Sequence, residues 1–165
     1  MEVEGDYLSI VVLQFKHFKE RAEEAIDQLT DEELHWKPNE ESNSIAIIMK
    51  HISGNMHSRW DEFLISDGEK ANRKRDGEFV DDFLTRAEIL QNWQDGWELL
   101  FKTIENLLVD DLHKVVTLRQ QPISVLKAIQ IEIAHISYHL GQILYIGKQI
   151  KDKQWKILSI PKNSR

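Results

Sequence analysis

Apolar residues recur every three or four positions along most of this chain, and that period commits it to amphipathic helices. From Leu8 onward they fall at Val11, Phe15, Phe18, Ala22, Ala25 and Leu29, one stripe of a long first helix. Thr30 and Glu33 form a capping box for a short helical turn that Pro38 closes. A second long helix begins near Ser44, buries Ile45, Ile48, Ile52, Met56, Trp60 and Phe63, and is expected to stop around Asp67-Gly68. Residues 68–84 are polar and aperiodic, a loop long enough to be functional or mobile. Thr85 and Glu88 open a third helix along Ile89, Trp93, Trp97, Leu100, Ile104 and Leu107. Val115-Val-Thr-Leu118 is β-branched and ends at Gln120-Gln-Pro122, so a short strand or hairpin is expected there. Ser124 caps the last helix, which runs past Gly147 to about Lys151. The tail, residues 155–165 with Pro161, reads as an extended strap packing by Trp155, Ile157 and Leu158.

Four such helices predict an all-α protein, a four-helix bundle with crossover connections, folded as one domain over residues 1–165. The long loop between the second and third long helices, and the strand-like stretch before the last, allow the crossover connections. No internal repeat or low-complexity stretch interrupts the pattern.

The 165 residues include no cysteine, which excludes a disulfide framework, a thiolate metal site and a cysteine nucleophile. Any thiol chemistry needs a thiol from outside. The net charge of -7 argues against a nucleic-acid partner. The one basic cluster, Lys70, Arg73, Lys74 and Arg75, is interrupted by Glu69 and Asp76 and reads as a solvated loop. No segment approaches the roughly 18 apolar residues of a membrane span, and no secretion signal opens the chain, so cytoplasm is the expected compartment.

His135 and His139 stand four apart on the last helix, so their rings project from one face with Cβ atoms about 5–6 Å apart. Two imidazoles at that spacing can share one ion, although ordinary hydrogen-bonded histidines are the alternative. A third ligand must come from another helix. His51 is the candidate, beside core positions Ile48 and Ile52, with Gly54 permitting a close approach by a neighbouring backbone or ligand. His57 points to a different face, towards Asp61, and His17, His35 and His113 sit among charges or at helix ends. The paired Glu-x-x-His of di-iron bundles, the His-Glu-x-x-His protease signature, and the nucleophile-elbow, P-loop and dinucleotide fingerprints do not occur.

With these features the chain resembles the DinB-like superfamily of four-helix bundles, and within it a branch found largely in Bacillus-type bacteria. The resemblance is carried by Asn43-Ser-Ile-Ala-Ile-Ile-Met-Lys-His-Ile-Ser-Gly-Asn-Met56, Ser58-Arg-Trp-Asp-Glu-Phe-Leu64, Asp67-Gly-Glu-Lys70 and Arg73-Lys-Arg-Asp76. It continues through Ala128-Ile129, His135-Ile-Ser-Tyr-His-Leu-Gly-Gln-Ile143 and Leu158-Ser-Ile-Pro161. The resemblance implies that His51, His135 and His139 bind a divalent ion, commonly nickel, zinc or iron. It also implies a homodimer, and a kinship with transferases and isomerases that use mycothiol, bacillithiol or glutathione. The chain departs from the branch at Gln130-Ile131, where a polar residue followed by Arg is usual.

Three imidazoles leave coordination positions open, the pattern of a catalytic site. The expected chemistry is a metal-dependent thiol S-transferase or isomerase, in which an external low-molecular-weight thiol attacks an electrophilic small molecule. Asn55, Tyr138 and Gln142 are candidate supporting groups. A non-catalytic metal-binding stress-response module and a purely structural interaction domain are the alternatives.

Overall fold

The computed structural model describes residues 2–160, and it is mostly helical with one small two-stranded sheet. Helix α1 spans Glu2–Ile26, α2 Asp31–Leu34, α3 Ile45–Trp60, α4 Arg86–Glu105 and α5 Val125–Lys151. The capping residues read from the sequence start these helices. Ser44, Thr85 and Ser124 are extended, and their hydroxyls accept the N–H of Ile47, Glu88 and Lys127 at 3.2, 3.3 and 3.1 Å. Thr30–Glu33 and Thr85–Glu88 close both bonds of a capping box.

Among the long helices, α1 packs against α5 and α4, and α3 packs against α4 and α5. Of the helices consecutive among the long ones, α3 and α4 pack most extensively, whereas α1 with α3 and α4 with α5 are not principal partners. The long loop expected to cross between the second and third long helices therefore joins packed neighbours. The anticipated stripes all face inward: Phe15, Met56, Trp60, Trp93, Trp97, Leu100 and Ile129 are buried with the rest of the core. Gly96 permits the closest approach, since a Cβ there would lie 3.3 Å from both Ser53 Cα and Met56 Sδ of α3.

The expected extended stretch is a hairpin, β1 Val115–Leu118 and β2 Gln121–Ser124, paired from Val115↔Ser124 to Leu118↔Gln121. Its turn residues, Arg119 and Gln120, both have positive φ, 52° and 62°, as a two-residue hairpin turn demands. Neither is glycine, and the conformation is held from outside. The Asp67 carboxylate accepts the backbone N–H of Arg119 at 2.9 Å and of Gln120 at 2.7 Å.

Three expectations need correction. Helix α3 stops at Trp60 rather than near Gly68, because Asp61 turns extended and Glu62 adopts φ 46°. The chain there doubles back so that Asp67 can bridge Thr117, and Phe63 is buried from the turn instead. The basic cluster is not merely a solvated loop. Lys70 Nζ donates to the carbonyls of Ser58, Asp61 and Asp67 at 2.9, 2.7 and 3.1 Å, capping the end of α3, and the Arg73 side chain is buried in ion pairs. In the tail, Trp155 packs on Gly147 and Leu158 is half-buried, but Ile157 is mostly exposed. Pro161 and the end of the expected strap lie outside the described residues.

Candidate metal centre

Helix geometry alone puts His135 and His139 on one face of α5, and the packing of α3 on α5 brings His51 to meet them. One ring nitrogen from each of the three histidines lies within 4.8 Å of the others. The residues are 5, 9 and 7% exposed in chain order. Their rings meet edge to face, with centroids 4.8–5.2 Å apart. Such a cluster is positioned to hold a metal ion.

The surroundings fix which nitrogen each ring offers. His51 Nδ1 lies 2.9 Å from Glu78 Oε2, and a carboxylate only accepts, so Nδ1 carries the proton. Glu78 comes from a single 3-10 turn, Arg75–Phe79, and is gripped by Arg73 through Nε at 2.8 Å and Nη2 at 2.7 Å. Gly54 makes room for it: a Cβ there would fall 2.4 Å from Glu78 Oε1. The close approach anticipated at Gly54 is thus made by a carboxylate, not by backbone.

Glu132 plays the matching part on α5. It is fully buried, ion-paired with the buried Arg59, and its Oε1 stands 3.5 Å from His135 Nδ1. That separation is too long for a well-formed hydrogen bond, and Nδ1 is a buried donor without another partner among the described residues. With its amide nitrogen turned inward, Asn55 donates to both Glu132 oxygens at 3.1 Å. His139 Nδ1 donates to Gln142 Oε1 at 2.7 Å.

His51 and His139 therefore present the proton on Nδ1, which leaves Nε2 available as the ligand atom, whereas no bond fixes the tautomer of His135. His51 Nε2 and His135 Nε2 are 3.1 Å apart. At that distance either one ring donates to the other or both nitrogens face a shared cation. Ligand nitrogens held about 2.0–2.1 Å from a zinc-sized ion, at right angles to tetrahedral angles, stand roughly 2.8–3.4 Å apart. The donor set fits a divalent ion.

The electrostatics agree. Burial, reinforced by the neighbouring His135 and His51, pushes His139 down to about 4 against a weaker opposing bond from Gln142, so its ring is neutral at pH 7. Burial alone would raise Glu78 and Glu132. For Glu78 the bonds and charges of His51 and Arg73 outweigh it, for Glu132 those of His135 and Arg59, and both carboxyls are lowered. A neutral His139 together with two ionised carboxylates beside His51 and His135 suits a cation. Burial and then Glu132 raise the Tyr138 phenol, so it remains a proton donor at neutral pH.

His51 and His135 also open onto a cleft of about 490 Å³. Phe79 stacks on His51 at 4.6 Å, Tyr138 lies over His139 at 4.4 Å, and Ile131 lines the cleft. The structure assembles His51, His135 and His139 as anticipated, and it places Gln142 on His139 and Asn55 on Glu132. His57 and His17 are exposed, and His35 bonds Asp81 and the Leu84 carbonyl instead. Sequence reasoning missed the two orienting carboxylates. Glu132 had a readable signal, three residues before His135 on the same helical face. Glu78 had none, since only tertiary folding brings it to His51.

No curated protein matches the chain significantly. A family model described as "Protein of unknown function (DUF1572)" matches residues 2–164, nearly the whole length, and the chain belongs to that family.

Proposed function

We propose that the chain is a divalent-metal protein of DinB-like type, a four-helix bundle, acting as a thiol S-transferase or isomerase on an external low-molecular-weight thiol. The observation that carries the metal reading is the convergence of one ring nitrogen from each of three histidines, with Nδ1 of His51 and His139 engaged by Glu78 and Gln142. In support of the bundle, each of the four long helices packs against two others. Nickel, zinc and iron all suit three imidazoles, and supply decides among them.

When bound, the ion favours the deprotonated form of a thiol, which a chain without cysteine must receive from outside. His51, His135 and His139 would hold it. Glu78 and Gln142 hold Nδ1 of His51 and His139, Glu132 lies behind His135, and the cleft admits a ligand of small-molecule size. Tyr138, 57% exposed and protonated, presents a donor beside the histidines. The homodimer and the cytoplasmic compartment belong to this reading, with the resemblance as support; among the described residues no helix is long and apolar enough to cross a membrane.

Metal-loaded protein should accelerate conjugation of bacillithiol or glutathione to an electrophile such as monochlorobimane, and His135→Ala should abolish the acceleration. Stoichiometric metal without conjugation of any thiol would replace this reading with a non-catalytic metal-binding module.

A further inference from the structure

Every charged group lining the cleft beside the histidines is an arginine, in a chain whose net charge is -7. Arg59, Arg73, Arg75 and Arg119 face it, and no carboxylate is among its lining residues. Arg59 is matched by Glu132 and Arg73 by Glu78, both set behind the wall. The third carboxylate, Glu69, is shared between Arg73 Nη1 at 3.1 Å and Arg119 Nε at 3.2 Å. Four guanidiniums thus stand against three carboxylates. Arg75 makes no ion pair among the described residues; its guanidinium carbon lies over the Phe79 ring, 5.0 Å from the centroid, and a cation–π contact uses none of its N–H donors as an ion pair would. Arg119 is 65% exposed on its side chain, so most of its hydrogen-bonding edge is open too.

The two are not on chance surface segments. Arg119 sits in the hairpin turn that Asp67 pins, and Gly68 N donates to Thr117 O at 2.8 Å, so loop and hairpin form one wall. Arg75 opens the 3-10 turn that delivers Glu78 to His51 and Phe79 to its face. The segments that orient the histidine cluster therefore also set the spare positive charge beside it. A polyanion is disfavoured by the overall charge, whereas a cleft of about 490 Å³ is the size for a small molecule.

We infer that this cleft is an anion subsite, in which Arg75 and Arg119 bind the carboxylate or phosphate groups of a small molecule whose other end reaches His51 and His135. This rests on the proposed function, because it describes the ligand of that same centre.

The test is calorimetric titration at low ionic strength with succinate, inorganic phosphate and neutral succinamide, on the wild type and on Arg75→Gln/Arg119→Gln. Succinate or phosphate should bind one site per chain, weaken as salt rises, and lose at least tenfold in affinity in the double variant; whichever anion binds identifies the class. Each single variant, checked for an unchanged unfolding temperature, should lose part of that affinity. No binding of either anion, equal affinity in the double variant, or equally tight succinamide would overturn the inference. Metal content is measured on the same samples. An ion retained without anion binding defeats the subsite alone, and anion binding without any ion defeats the metal reading.

Discussion

His51 Nε2 and His135 Nε2 face each other at 3.1 Å, while the Nδ1 atom of each ring is turned towards a buried carboxylate. This arrangement admits either a hydrogen bond between the rings or a cation shared by them. A neutral pair bonded through Nε2 would need one ring to carry its proton there, and Nδ1 of that ring would then confront a carboxylate as a lone pair. Glu78, 2.9 Å from His51, penalises that tautomer strongly, and Glu132, 3.5 Å from His135, does so weakly.

Gly54→Ala tests that orientation without touching a histidine. Alanine favours an α-helix over glycine by about 1 kcal/mol, so helix propensity alone would stabilise the variant. Here its Cβ displaces a Glu78 carboxylate that Arg73 holds in a two-point grip. The expected result is metal affinity weaker by roughly 10–100-fold, the size of loss usual when the group behind a ligand is removed. Competition titration against a chromophoric chelator measures it, and unchanged affinity would show that Glu78 does not orient His51.

Glu132→Gln should be the most damaging conservative substitution near the site. It leaves the Arg59 guanidinium, 7% exposed, without its counter-charge in a buried position. Breaking such a pair typically costs about 3–5 kcal/mol. Urea unfolding of the metal-free protein reads this directly, and a change below about 1 kcal/mol would mean that water compensates Arg59.

Acid should weaken the metal-free fold through His139. The unfolded chain takes a proton near pH 6.5, whereas burial holds the folded ring down to about 4, so the unfolded state binds more protons in that window. Stability is full above about pH 6.5 and falls as the pH drops towards 4, by roughly 2–3 kcal/mol. His139→Gln cannot protonate, and its unfolding temperature should vary less between pH 7 and pH 4.5. Parallel curves for the two proteins would contradict the assignment.

Asp67→Ala removes the acceptor for the backbone N–H groups of Glu69, Arg119 and Gln120. Its carboxyl is lowered even though burial opposes this, because those three donors together with Lys70 outweigh it. A loss of roughly 1–3 kcal/mol is expected. Gln120→Gly in that background should recover up to about 1 kcal/mol, since glycine adopts the φ of 62° without strain. Failure of glycine to recover any stability would show that Asp67 does not act by holding the turn.

What the sequence revealed divides along a physical line. Properties repeated within one helix were legible: the stripe from Ile45 to Trp60, the caps at Ser44 and Thr85, and the i,i+4 pair His135–His139. His51 was legible because it lies beside Ile48 and Ile52 on a buried face. The end of α3 was misjudged, since Phe63 continues the apolar period although the chain has already turned. Periodicity records burial, not conformation. The loop after α3 hid the most. Lys70 and Arg73 read as solvated charges and Glu78 carried no signal, and only the fold shows that Lys70 caps a helix while Arg73 holds Glu78 against His51.

The central claim is that His51, His135 and His139 hold one divalent ion. Elemental analysis of protein purified without a histidine tag, then offered nickel, zinc and iron in turn, tests it most directly. The account predicts about one tightly held ion per chain in the wild type and none in a folded His135→Ala variant. Absence of any stoichiometric ion from the wild type, or equal retention by the variant, would contradict it.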